Sequence, residues 1–182
     1  HMIDEIMEYN RKFVENKGYE PYLTSKYPDK KLAILTCMDT RLLELLPAAL
    51  GIKNGDAKII KNAGGVIVHP YGSVVRSLLV GILELGVEEV MVIGHTDCGV
   101  QGMDGNEMLE KLVERGIDQQ HIDIVRHSGI DLERWLGGFE SVESSVHETV
   151  RRLKDHPLMP KNVRISGFIM DSATGELTRV EE

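Results

Sequence analysis

The sequence predicts an α/β fold with a mainly parallel central sheet, helices on its faces and an antiparallel strand at the C-terminal edge. Four short, almost wholly apolar runs recur along the chain, as expected for strands buried on both faces. Segments with apolar residues at spacings of three and four lie between them, which is typical of amphipathic helices. Because such alternation favours parallel strands joined by helical crossovers, we expect residues 1–182 to form a single domain of this class.

The N-terminal segment is predicted to be a helical arm over residues 2–18. Its apolar residues fall near one side of such a helix: Ile3, Ile6, Met7, Phe13 and Val14. Gly18 can end the helix, and residues 18–30 are predicted to form a loop. We expect His1 to be a residue left by cloning ahead of a native start at Met2.

The strands and the remaining helices follow in order. The apolar runs predict strands over residues 31–36, 57–60, 90–94 and 162–170. Helical spacing predicts helices over residues 74–83, 108–113 and 142–153. The segment from Asp171 to Gly175 is rich in turn formers, so the residues after it are predicted to return as the antiparallel edge strand.

Composition and charge exclude several classes of protein. The formal net charge is −8, which does not fit non-specific nucleic-acid binding, and no nucleic-acid partner is expected. No apolar run approaches the roughly 20 residues that cross a bilayer, so no membrane association is expected. The first ten residues lack the basic start and apolar stretch of a signal peptide. We therefore expect a cytoplasmic protein, whose two cysteines stay reduced.

Polar motifs coincide with the ends of three predicted strands. They are CMDTR at 37–41, KNAGG at 61–65 and GHTDC at 94–98. In open α/β sheets, sites form just outside the carboxyl ends of the strands. These three motifs are therefore expected to meet at one edge of the sheet.

Cys37, His95 and Cys98 make a set of two sulfurs and one imidazole. Zinc accepts thiolate and imidazole ligands in tetrahedral geometry, so the set favours Zn²⁺ as cofactor. Three protein ligands leave a fourth position open, which is typical of a catalytic rather than a structural zinc. The alternative is that the cysteines are small buried apolar residues of the core.

Asp39 and Arg41 lie two and four residues beyond the first cysteine. An arginine partner keeps a carboxylate ionised and can orient it through two hydrogen bonds. Such an aspartate could accept a hydrogen bond from water on the metal. Without Arg41 it could itself become a conditional fourth ligand in a closed state of the site. The alternative is an ordinary surface ion pair.

Asn62, Ala63 and Gly64 are the predicted substrate contacts. Adjacent glycines at 64 and 65 let backbone N–H groups face an anion or an oxygen atom. The alternative is a plain turn between a strand and a helix.

Taken together, the motifs resemble the β-class carbonic anhydrases, in particular the shorter prokaryotic members. The matching pieces run in order from about residue 30 to the C-terminus: CMDTR, KNAGG, VVRSL (74–78), HTDCG (95–99) and GFIMDSATGEL (167–177). This resemblance implies a zinc enzyme that interconverts carbon dioxide and bicarbonate through hydroxide on zinc. It implies Cys37, His95 and Cys98 as the ligands, and Asp39 with Arg41 as the family's Asp-Arg dyad.

The resemblance also implies a homodimer or homotetramer, with the N-terminal helix packing on a partner subunit. Two positions depart from the family pattern: Lys61 stands where arginine is common, and Thr40 where serine or alanine is common. The family also contains carbonyl sulfide and carbon disulfide hydrolases, which remain alternative functions. A non-catalytic zinc- or redox-sensing protein, with Cys37 and Cys98 as its switch, is a further alternative.

Overall fold

A five-stranded sheet forms the centre of the computed structural model, which describes residues 1–180. The strands are β1 (Leu32–Cys37), β2 (Ala57–Asn62), β3 (Glu89–His95), β4 (Arg164–Met170) and β5 (Leu177–Val180). Their order across the sheet is β2-β1-β3-β4-β5, with β1 to β4 mutually parallel and β5 antiparallel to β4. The predicted fold class is confirmed, including the antiparallel edge strand.

Seven helices surround this sheet within the described range. They are α1 (Met2–Glu15), α2 (Leu42–Ala49), α3 (Ser73–Glu84), α4 (Gly105–Glu114), α5 (Gln119–His127), α6 (Leu132–Trp135) and α7 (Val142–Asp155). A short 3₁₀ turn, Glu20–Tyr22, follows α1. The sequence analysis predicted α1, α3, α4 and α7 but not the other three. Helix α2 contains Pro47, which argues against a helix from sequence, and α6 is only four residues long.

The three central strands β1, β3 and β4 are largely buried, as their apolar runs predict, whereas β2 and β5 at the edges of the sheet contain no buried residue. Alternate residues of β1 enter different clusters: Ala33 and Leu35 join the core that includes α3 and α7, whereas Ile34 packs with α2. Strand β2 is longer than predicted and extends through Lys61 and Asn62, because these residues pair with Thr36 and Cys37 of β1.

Helix α7 packs closely on the centre of the sheet because glycine replaces a side chain at two points. A Cβ atom at Gly94 would lie 2.7 Å from Val146 Cγ2, and one at Gly167 would lie 2.6 Å from Val146 Cγ1. Gly94 immediately precedes His95 in β3. The position of α7 is therefore fixed against the same strand that delivers His95.

Helix α1 contributes nothing to these cores. All of its residues are described, and none is buried. Its apolar side chains are open to solvent: Met2, Ile3, Ile6, Met7 and Val14 are each more than half exposed. Among the described helices, none has the length and apolar character needed to cross a bilayer.

Candidate metal centre

The structure brings the three predicted ligands together at the carboxyl edge of the sheet. Cys37 ends β1, His95 ends the neighbouring strand β3, and Cys98 lies in the turn that follows. Their candidate ligand atoms all lie within 4.8 Å of one another, and the two sulfurs are 4.0 Å apart. All three residues are buried, and neither cysteine is in a disulfide. Adjacent parallel strands thus produce the cluster by ending at the same edge.

The hydrogen bonding of His95 fixes which nitrogen faces the sulfurs. Nδ1 lies 2.8 Å from the carbonyl oxygen of Thr96, so Nδ1–H donates and Nε2 carries the free lone pair. Among side-chain nitrogens and oxygens buried in residues 1–180, His95 Nε2 is the one without a hydrogen-bond partner. Such orphaned atoms are rare, and a cation accepting this lone pair would satisfy it. Two thiols and one imidazole of this tautomer fit zinc.

Cys98 favours the neutral thiol in the absence of a cation. Burial raises the pKa of Cys98, and the neighbouring Cys37 raises it further, although the backbone N–H of Val100 opposes the shift. A bound divalent cation would reverse this preference, because thiolate rather than thiol is the ligand. Metal binding at the cluster would therefore release protons.

Asp39 is held by Arg41 beside the cluster. Arg41 donates from Nε to Asp39 Oδ1 at 3.0 Å and from Nη2 to Oδ2 at 2.9 Å, and its backbone N–H also donates to Oδ1. The hydrogen bond from Arg41 lowers the pKa of Asp39 to about 2, so the carboxylate is ionised at neutral pH. Its Oδ2 lies 3.8 Å from His95 Nε2. The sequence analysis predicted this pairing, and the carboxylate lies at the border of the ligand cluster.

Asp97 is a further partner that the sequence analysis missed. Arg41 donates from Nη1 to Asp97 Oδ2 at 3.1 Å and from Nη2 to the Asp97 carbonyl oxygen at 2.8 Å. Asp97 has a φ of +55°, which turns the chain between His95 and Cys98 back toward Arg41. The available sequence signal was the position of this acidic residue between the two predicted ligands His95 and Cys98.

The predicted substrate loop follows β2 and contacts the predicted ligand Cys37. The backbone N–H of Gly64 donates to Cys37 Sγ at 3.4 Å, and both Gly64 and Gly65 have positive φ. Gly64 is buried and Ala63 is exposed. The Asn62 side chain binds the Val66 backbone in both directions, donating at 2.7 Å and accepting at 3.0 Å. Asn62 thus holds the loop in shape, while its role in substrate contact stays a prediction.

Comparison with known proteins agrees with this geometry. A family model described as carbonic anhydrase matches residues 32–177. The Bacillus subtilis protein named "Putative carbonic anhydrase YvdA" is 52% identical over 175 residues, which cover 96% of this chain and 89% of that protein. A carbon disulfide hydrolase from Saccharolobus solfataricus is 32% identical over 163 residues, 83% of this chain and 78% of that enzyme.

Solved structures give the same result. The crystal structure of β-carbonic anhydrase isoform I from Trichomonas vaginalis superposes with a TM-score of 0.88 at 34% identity, covering 99% of this chain and 97% of that one. The carbonic anhydrase from Streptococcus mutans superposes with a TM-score of 0.76 at 33% identity. The matched region contains every residue of the ligand cluster and the Asp39–Arg41 pair. This chain therefore belongs to the β-carbonic anhydrase family.

Proposed function

We propose that this protein is a zinc-dependent carbonic anhydrase, which interconverts carbon dioxide and bicarbonate. The observation that carries the proposal is the buried Cys37–His95–Cys98 cluster with an ionised, arginine-held carboxylate at its border. A purely structural zinc site would not need that carboxylate. Several relatives of this chain bear names that include carbonic anhydrase, which supports the same activity here.

Cys37 Sγ, His95 Nε2 and Cys98 Sγ are the atoms that would hold zinc. Zinc in such a site acts as a Lewis acid that makes water acidic enough to supply a nucleophile near neutral pH. The Thr96 carbonyl keeps the His95 ring in the tautomer that presents Nε2. The Gly64 N–H shares the negative charge that Cys37 would carry as a thiolate.

Asp39 would orient the nucleophile. Its carboxylate can only accept hydrogen bonds at neutral pH, so an O–H group beside the cluster would donate to it and turn a lone pair toward the substrate carbon. Arg41 fixes the direction of that acceptor through two bonds. The backbone at Ala63 and Gly64 is proposed to accommodate the oxygens of bicarbonate. Release of Asp39 from Arg41 would allow the closed state, in which Asp39 is a fourth ligand.

We further propose that the protein is a cytoplasmic homodimer or homotetramer. Self-association is supported by α1, whose apolar side is not covered by the rest of the chain: Ile3 is 74% exposed and Met7 is 63% exposed. Apolar surface of this kind marks an interaction site more often than a solvated one. A second subunit would cover it.

Carbon disulfide hydrolysis is the second candidate function, because several relatives at 30–32% identity bear that name. Carbonyl sulfide would be turned over by the same chemistry. A zinc- or redox-sensing protein is the third candidate, since the cysteine sulfurs lie only 4.0 Å apart. It predicts labile zinc, a reversible disulfide and no hydration activity.

The deciding experiment compares turnover of carbon dioxide, carbonyl sulfide and carbon disulfide by one preparation of measured zinc content. Stopped-flow hydration of carbon dioxide well above the buffer rate, and above turnover of both sulfur substrates, is expected. Higher turnover of either sulfur substrate would favour the second candidate. Zinc-loaded protein inactive on all three would overturn the enzymatic proposal.

A further inference from the structure

We propose that Arg152 of α7 and His156, the C-cap residue of that helix, are positioning residues for the active site. They would fix the loop of residues 63–72, here called the glycine loop, so that its first residues stay beside Cys37. The inference rests on the proposed function for its effect on turnover. The structural part stands on hydrogen bonds that join residues 85 and 86 positions apart in the sequence.

The glycine loop runs from β2 to α3 without helix or strand of its own. Two of its carbonyl oxygens accept hydrogen bonds from α7 and its C-terminal cap. Arg152 Nη1 donates to the Ile67 carbonyl at 3.0 Å, and His156 Nε2 donates to the Pro70 carbonyl at 2.7 Å. The loop is therefore tied at two points, three residues apart, to a single helix end.

Both donors are themselves held in place. Arg152 Nε donates to Glu148 Oε1 at 3.0 Å, one turn earlier on α7. His156 is 4% exposed, and its Nδ1 accepts the Leu158 N–H at 3.1 Å, so Nε2 must carry the proton that reaches Pro70. The Tyr71 ring meets the His156 ring edge-on, with centroids 5.1 Å apart. These contacts restrict the orientation of both donor side chains.

The first residues of the glycine loop need these hydrogen bonds because they do not fix their own conformation. Gly64 and Gly65 adopt positive φ, and glycine is the residue that fixes its own backbone least. The direction of the Gly64 N–H toward Cys37 therefore depends on what holds the loop further along. Ile67, whose carbonyl Arg152 binds, is only three residues away, and its side chain is buried in the core.

Helix α7 is well placed to hold the glycine loop in a fixed position relative to the sheet. It packs on β3 and β4 over Gly94, the residue before His95. One helix thus sets both the strand carrying a nitrogen ligand and the loop that donates to a sulfur ligand. Loosening the loop should weaken the Gly64 hydrogen bond to sulfur without removing any metal ligand.

The experiment uses full-length protein and compares Arg152→Met with Arg151→Met. Arg151 is a matched control, because it also pairs with Glu148, at 2.6 Å, but makes no bond to the glycine loop in the described structure. Hydrogen exchange of the Gly65 and Val66 amides reports the loop directly. In cobalt-loaded protein, the thiolate-to-cobalt absorption band reports the hydrogen bond to Cys37. Stopped-flow hydration gives kcat and KM separately.

Arg152→Met is expected to speed exchange at Gly65 and Val66, shift the cobalt band and lower kcat/KM by about fivefold, the worth of one net hydrogen bond. Zinc content should not change. Arg151→Met should leave all three readouts at wild-type values. Arg152→Lys, which keeps a cationic donor, should restore part of each, and His156→Leu, which removes the donor to Pro70, should repeat the pattern of Arg152→Met from the second tie.

Equal exchange rates and equal cobalt spectra for the two methionine variants would overturn the proposal, whatever the activity. If the wild-type protein hydrates no carbon dioxide, the proposed function fails, while exchange and cobalt absorption still test the loop. Should Arg152→Met not fold, Arg152→Lys and His156→Leu carry the same comparison against Arg151→Met.

Discussion

Helix α1 and the carboxyl edge of the sheet both carry side chains that one chain leaves without partners, but of opposite kinds. On α1 the unmatched groups are apolar and open to water, as with Ile3 at 74% exposure. At the sheet edge the unmatched group is polar and enclosed, since His95 is 1% exposed and its Nε2 has no hydrogen-bond partner within residues 1–180. The apolar side chains of α1 would therefore be satisfied by another apolar surface, and His95 Nε2 by a cation.

This difference determines how each region should respond to substitution. Apolar surface is stabilised in proportion to area, so its contribution is spread over many side chains. A set of donor atoms around one point accepts only an ion of matching geometry, so each ligand is indispensable. We expect steep effects at the sheet edge and graded effects on α1.

Replacing a predicted ligand should give the largest effect. His95→Ala should abolish stoichiometric zinc binding and reduce carbon dioxide hydration to the uncatalysed rate, because it removes the only nitrogen of the cluster. His121→Ala, on the exposed surface of α5, is the matched control and should keep both. Metal analysis with stopped-flow hydration makes the measurement. A fully zinc-loaded, active His95→Ala protein would remove the basis of the proposed site.

Asp39→Asn should separate orientation of the nucleophile from metal binding. The amide keeps the size of the side chain but can donate as well as accept, so kcat is expected to fall by about 100-fold with zinc content unchanged. Asp4→Asn on α1 makes the same chemical change at an exposed carboxylate and should leave kcat unaltered. Full activity in zinc-loaded Asp39→Asn protein would contradict the role proposed for Asp39.

The sequence was sufficient to predict the ligand cluster because the cluster depends only on which residues end the parallel strands. Parallel strands must bring their carboxyl ends to one edge, so Cys37 and His95 were predicted together without any distance being known. Helix α2 was not predicted, because Pro47 signals a break that its packing against the core overrides.

Contacts that depend on three-dimensional detail could not be predicted in the same way. The Arg41 bonds to Asp97 depend on the positive φ of Asp97, and neither composition nor periodicity records a single dihedral angle. The bond between Arg152 and Ile67 joins positions 85 residues apart, and only the packing of α7 over Gly94 brings them together.

Gly65→Ala should show how little space the sheet edge has. Gly65 has a φ of +64°, and a Cβ there would lie 2.9 Å from the Thr36 carbonyl carbon. Backbone strain and this clash together should lower the free energy of unfolding by about 2–3 kcal/mol. Gly51→Ala shares the positive φ, at +67°, but its Cβ would meet nothing within 4 Å, so it should cost about 1 kcal/mol. Urea unfolding measures both, and equal losses would contradict the close packing of the loop on β1.

Ile6→Lys should test whether a second subunit covers α1. If it does, placing a charge at this 58% exposed position should weaken self-association by about 10- to 100-fold, the range expected for one buried aliphatic side chain. Glu5→Gln raises the net charge by the same amount on the other side of the helix and should leave association unchanged. Sedimentation equilibrium gives the dissociation constants. Identical constants for wild type and Ile6→Lys would mean that α1 is not part of the interface.

Asp97→Asn should give the smallest effect, because the two Asp97 bonds to Arg41 differ in kind. The carboxylate bond belongs to a side chain that is 87% exposed, and exposed ion pairs contribute about 0.2–1 kcal/mol. The backbone carbonyl bond, at 2.8 Å, survives the substitution, and asparagine tolerates the positive φ. Asp39 also keeps both of its bonds from the Arg41 side chain. We therefore expect kcat/KM to fall less than about threefold, since that is the worth of a weak exposed pair. A loss as large as that of Asp39→Asn would show that the carboxylate of Asp97, rather than its carbonyl, holds Arg41 in place.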